Sequence, residues 1–88
     1  MTWSDEAKEM VQELLHELPA PVRADVQERA EVQAEGVAGD GGEDEVSMET
    51  AVRAFIIATP SDLRRRLRGV LTYHGIDPEE YEEAFSTE

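Results

Sequence analysis

Pro19 and Pro21 stand two residues apart in ELPAPVR, residues 17–23, inside a stretch whose apolar residues otherwise recur three and four apart. Proline disfavours helical geometry in the residue before it and offers no N–H, so Pro19 ends one helix. In the first turn of a helix the missing N–H costs nothing, so Pro21 suits the start of the next. The segment therefore reads as a sharp corner between two helices, and any fold must be built around it. Upstream, Ala7, Met10, Val11, Leu14, Leu15 and Leu18 form one stripe of a helix over residues 4–18. Ser4 is placed to cap it, Asp5 and Glu6 suit the positive end of its dipole, and Trp3 can pack back as a hydrophobic staple.

Downstream of the corner the stripe is thinner: Val22, Val26, Ala30, Gln33/Ala34 and Val37, with Gly36 as a helix stop. The stretch GVAGDGGEDE, residues 36–45, offers nothing to bury and reads as a mobile acidic loop over 37–45. Its acids do not make a calcium loop. Counted from Asp40, the sixth and twelfth positions hold Glu45 and Ala51 instead of glycine and glutamate. Ser47 then caps a helix over 47–58, with Met48, Ala51, Val52, Phe55, Ile56 and Ile57 on a broad apolar face, the most buried of the set. Thr59-Pro60-Ser61-Asp62 reads as an N-cap and first turn, and Leu63, Leu67, Val70 and Leu71 as the buried face of a helix that His74-Gly75 closes. Asp77-Pro78 opens a last short helix whose apolar contacts are Tyr81, Ala84 and Phe85. No internal repeat and no alternating run long enough for a strand is visible. The expectation is a single all-α domain over residues 1–88, a small bundle of four to five short helices.

Composition limits what such a bundle does. The chain has 88 residues and no cysteine, which excludes disulfides, thiolate zinc sites and cysteine-held iron–sulfur clusters. Twenty-one acids face eight bases, for a net charge of −13. Nucleic acid and anionic membrane are therefore not expected as partners, because binding there needs clustered basic groups. The charge serves solubility or presents an acidic surface to a basic partner. No run of about 20 apolar residues is present to span a bilayer. The start, MTWSDEAKEM, lacks the basic and apolar regions of a signal peptide, so a cytoplasmic protein is expected.

No catalytic, cofactor-binding or metal-ligating residues are assigned. His16 and His74 both sit near helix ends, where the dipole favours a cation, and neither has His-x-x-His or Glu-x-x-His spacing. The basic cluster Arg64, Arg65, Arg66 and Arg68 lies around the polar side of the Leu63–Leu67–Leu71 stripe. Guanidinium forks suit carboxylates and phosphates. The cluster is read as pairing within the chain or as a patch for an acidic partner or the propionates of a ligand. Exposure of Phe55, Ile56 and Ile57 would mark an apolar partner face.

Trp3, Glu6-Ala7, Leu14, Pro19, Val22-Arg23, Val26, Ala30-Glu31, Ala34, Gly36 and Val46-Ser47-Met48-Glu49-Thr50-Ala51-Val52 stand in a recognisable order. Over residues 3–53 the chain resembles the helical C-terminal domain of the B subunit of light-independent protochlorophyllide reductase. That domain shares a Trp–Glu–Ala start, a Pro-x-x-Val-Arg corner, a helix ending near Ala-x-x-Gly and a helix begun by an Ile/Val-Thr/Ser step. This chain departs in a longer first helix, a Gly39–Glu45 insertion and the extension over 54–88. The resemblance implies a non-catalytic accessory domain with a protein partner and a tetrapyrrole ligand, linked to chlorophyll synthesis. The other reading is an acidic adaptor unrelated to pigments, whose partner meets the arginine cluster or the acidic loop. Candidate contacts are Trp3, Arg23, Arg64, Arg65 and Arg68. For Arg23 the sequence favours a salt bridge or a cap across the proline corner over a ligand contact.

Overall fold

The computed structural model describes residues 2–86. A two-residue strand β1 (Thr2–Trp3) leads into α1 (Asp5–His16), and α2 (Ala20–Asp40) follows the proline corner. A second short strand, β2 (Glu45–Val46), leads into α3 (Met48–Ala58) and then α4 (Ser61–Tyr73). A 3₁₀ turn (Pro78–Tyr81) and α5 (Glu82–Phe85) complete the chain. The fold is the expected small all-α bundle of five helices, with β1 and β2 pairing in parallel, Thr2 opposite Glu45 and Trp3 opposite Val46. Trp3 thus extends a strand pair above α1, and strands of two residues are too short to show an alternating pattern.

The chain is built twice, although no repeat is visible in its sequence. In each half a short strand meets a capping serine, whose hydroxyl accepts the N–H three residues on: Ser4 from Ala7 and Ser47 from Thr50. Each first helix ends at a proline with nearly the same backbone, φ −57°, ψ 140° at Pro19 and φ −54°, ψ 145° at Pro60. Four residues on, an arginine reaches back to the helix before the corner. Each second helix ends on a left-handed glycine, Gly42 at φ +73° and Gly75 at φ +79°. At both, paired bonds close the helix: Glu43 N–H to Ala38 O with Gly42 N–H to Gly39 O, and Ile76 N–H to Leu71 O with Gly75 N–H to Thr72 O. The first helices differ in length and the residues shared between halves are few, so no fixed period betrays the duplication.

α3 is the centre, as its broad apolar face predicts. Ala51, Val52, Ala54, Phe55, Ile56 and Ala58 are buried against α1, α2 and α5. α2 supplies Val26, Ala30, Ala34 and Ala38, four small buried residues one turn apart that let its backbone approach α3 closely. That contact carries the helix through Gly36 and Gly39, which cost about 1 kcal/mol each relative to alanine in a helix interior. The expected stop at Gly36 is therefore displaced to Gly42. The loop shrinks from 37–45 to the exposed residues 41–44, and Ala38 takes the buried place expected for Val37, which is 42% exposed. The tail is docked: Ile76, Tyr81 and Ala84 are buried in the core.

Thr59 corrects a second expectation. It is wholly buried and ends α3, where its hydroxyl donates to Phe55 O at 2.8 Å, while α4 begins behind Pro60 with no side-chain cap. Thr59→Val keeps the shape and removes that donor. It is expected to cost about 1 kcal/mol, which lowers Tm by about 4–8 °C in a domain of this size, read by circular dichroism melting.

Candidate functional site

The candidate contact residues do not converge. Arg23 lies at the C-terminal end of α1, where its Nε donates to Leu15 O at 3.0 Å and Leu18 O at 2.9 Å, and its Nη2 to His16 O at 3.1 Å. Trp3 precedes the other end of α1, and its side chain shares a groove with Lys8, Val11, Gln12 and Gln27. Arg64 repeats the Arg23 arrangement on α3: Nε to Ile56 O and Thr59 O, both at 3.0 Å, and Nη2 to Ile57 O at 2.8 Å. In both cases a planar fork adds donors to carbonyls at a helix end, at the negative pole of its dipole, where Leu15 O and Ile56 O each also accept a backbone N–H. These two arginines are helix clamps. The cap across the proline corner that the sequence favours for Arg23 is what the structure contains, and Arg64 is its counterpart.

Arg68 ties α5 to α4. It pairs with Glu82 through two bonds of 2.7 and 3.2 Å, and its guanidinium lies 4.4 Å from the centre of the Phe85 ring. The hydrogen bond to Arg68 holds the Glu82 carboxyl below its ordinary range. A depressed carboxylate stabilises the fold above its unfolded pKa, near 4.5, and loses that contribution as pH falls through the lower folded value. The α5 amides are accordingly expected to lose hydrogen-exchange protection below about pH 4.5 before the α3 amides do, read by exchange mass spectrometry across a pH series.

Arg65 is the one arginine among the candidate contacts that stays free. It is exposed on the outer side of α4 beside Arg66, also exposed, and neither makes an ion pair among the described residues. Tyr73, 83% exposed, sits two turns further along the same side. Between them Gly69 presents open space where a Cβ would stand. Arg66 belongs to the basic cluster of the sequence, whereas Gly69 and Tyr73 stand outside it. The signal for them was present in the spacing, since residues 65, 66, 69 and 73 fall opposite the Leu63–Leu67–Leu71 stripe. The apolar alternative face is absent: Phe55 and Ile56 are wholly buried and Ile57 is half-buried.

The surface also carries grooves, two of which touch residues named above. One, of about 500 Å³, lies between α2 and the end of α3 and is lined by Asp25, Glu28, Val32 and Ile57 among others. The other, of about 320 Å³, is walled by Trp3, Lys8, Val11 and Gln27. His16 is exposed, while His74 turns its Nδ1 toward Glu13 at 3.5 Å and buries an Nε2 that has no partner among the described residues. No three histidine, aspartate or glutamate side chains among the described residues are grouped to hold a metal ion. No helix among them is long and apolar enough to cross a membrane.

The chain matches the family described as "Protein of unknown function (DUF2621)" over residues 1–85 and belongs to that family. No curated protein and no solved structure matches it.

Proposed function

We propose that this DUF2621 protein is a non-catalytic adaptor, a small helical frame that holds a docking face for a protein partner. One observation carries the reading: the basic side chains divide sharply between frame and surface. Arg23 and Arg64 clamp helix ends, and Arg29, Arg53 and Arg68 pair with Asp25, Glu49 and Glu82. That leaves Lys8, Arg65 and Arg66, and only the last two stand together. A ligand read by Trp3 and Arg23 jointly would have to displace the bonds that Arg23 makes to the carbonyls ending α1. The adaptor reading does not depend on the grooves at Trp3 and at Val32.

The test is the mass and composition of the native species. An extract of the host, separated by size under non-denaturing conditions, is expected to carry the chain in a complex well above its own 9.8 kDa together with a second, different protein. A free monomer throughout would sink the adaptor reading. So would saturable, selective binding of protochlorophyllide to the isolated chain, which would favour the pigment-linked reading instead.

A further inference from the structure

We infer that the outer face of α4, formed by Arg65, Arg66 and Tyr73, binds a carboxylate-rich segment of a partner protein; this rests on the adaptor reading and names its surface and partner chemistry. α4 is a cationic island. It holds four arginines and one aspartate, while the rest of the chain carries the other 20 of the 21 acids. Two of the four arginines are engaged, Arg64 in the α3 clamp and Arg68 with Glu82 and Phe85. Among the described residues Arg65 and Arg66 remain unpaired even though Asp62 lies one helical turn before Arg66. Adjacent guanidinium groups offer forked donors that match carboxylates in pairs.

Tyr73 gives the face its apolar component. Its ring meets the His74 ring edge-on, with centroids 5.3 Å apart. An exposed tyrosine offers a flat apolar body with a polar rim at small entropic cost. The open strip at Gly69 lets a bound backbone lie close to the helix between the charges and the ring. From Arg65 to Tyr73 is about 12 Å along the helix, the span of about four extended residues.

Charge selects a short protein segment over a long polyanion. At physiological ionic strength fields fade within about 8 Å, so the remote acids do not cancel attraction at this face. A nucleic acid or an anionic bilayer extends past the face and meets the acidic remainder of the surface.

The experiment is a nitrogen-15 NMR titration of the full chain with a short synthetic polyglutamate peptide that carries one central phenylalanine. A single-stranded oligonucleotide of equal charge serves as comparison. Saturable shifts at Arg65, Arg66, Gly69 and Tyr73 are expected, with weaker binding of the oligonucleotide. In the Arg65→Gln/Arg66→Gln variant the affinity should fall at least about tenfold, the loss of one charge-assisted contact, with Tm unchanged. Absent shifts, shifts centred on Lys8 or Arg53, equal affinity in the variant, or tighter binding of the oligonucleotide would overturn the inference. The adaptor reading fails separately. If the native partner is retained equally by the wild type and the variant, the adaptor stands and its docking face lies elsewhere.

Discussion

Phe55→Ala is expected to destabilise the protein by about 3–5 kcal/mol, the cost of emptying a fully buried aromatic site that cannot collapse. Phe55 is wholly buried at the middle of α3, in one core cluster with Leu14, Val52, Ile56 and Leu71. Around it the other large contributors are few, because α2 fills its side of the interface mainly with alanines. A domain of 88 residues has a total stability of about 4–13 kcal/mol. The loss is thus a large share of the whole, and the variant should be partly unfolded at 37 °C. Urea denaturation followed by circular dichroism reads this directly. Phe55→Leu, which retains most of the volume, should recover more than half of the loss. A Phe55→Ala midpoint close to that of the wild type would mean that α3 is not the centre of the core.

Arg64→Ala is expected to cost about 2–4 kcal/mol and to lower Tm by about 10–25 °C, a large effect for a residue that contributes little to the apolar core. The guanidinium satisfies the carbonyls of Ile56, Ile57 and Thr59, and all three of those bonds are half-buried. Removing the fork strands the Ile57 and Thr59 acceptors beside the corner, leaves Ile56 O only its bond from Thr59 N–H, and uncovers the negative end of the α3 dipole. Arg64→Lys should recover less than half, because a single ammonium cannot serve carbonyls in two directions at once. Arg23→Ala removes the equivalent clamp from α1 but should cost less, since its bond to His16 O is exposed. Arg65→Ala, one residue from Arg64, should stay within about 0.5 kcal/mol, as exposed substitutions do. Parallel thermal melts of these variants, with exchange protection in the last turn of α3, decide the ranking. Equal stability in Arg64→Ala and Arg65→Ala would remove the clamp from the account.

Much of the frame was legible because its punctuation is local. Pro19 with Pro21, Ser4, Ser47 and Gly75 each act through the backbone within a few residues, so their meaning survives without knowledge of the tertiary structure. The stop at Gly36 was misread because its consequence is set at a distance. Burial of Ala34 and Ala38 on α3 outweighs the helix-breaking tendency of two glycines. Thr59 was misplaced for a related reason: a threonine before a proline suits either the start of one helix or the end of another, and burial decides between them. The duplication is invisible in the sequence because its shared residues hold corners and caps. Only in the fold do Arg23 and Arg64 do one job twice.

The functional side was less legible, for an electrostatic reason. Four arginines in five residues look alike in sequence, yet they divide into a clamp, a tether to Glu82 and a free pair once α3 and α5 are in place. Of the cluster, Arg65 and Arg66 stay unpaired among the described residues, and Tyr73 shares their side of α4. Trp3, the residue most suggestive of a ligand, is drawn into the strand pair opposite Val46, and Arg23 is taken up by the carbonyls that end α1.

Capture of the native partner by immobilised wild type and by the Arg65→Gln/Arg66→Gln variant, at matched Tm, decides whether the α4 face docks it. A protein with an acidic segment should be retained by the wild type and lost at least about tenfold in the variant. Equal retention by both would contradict the assignment of the free arginine pair on α4 as the docking face.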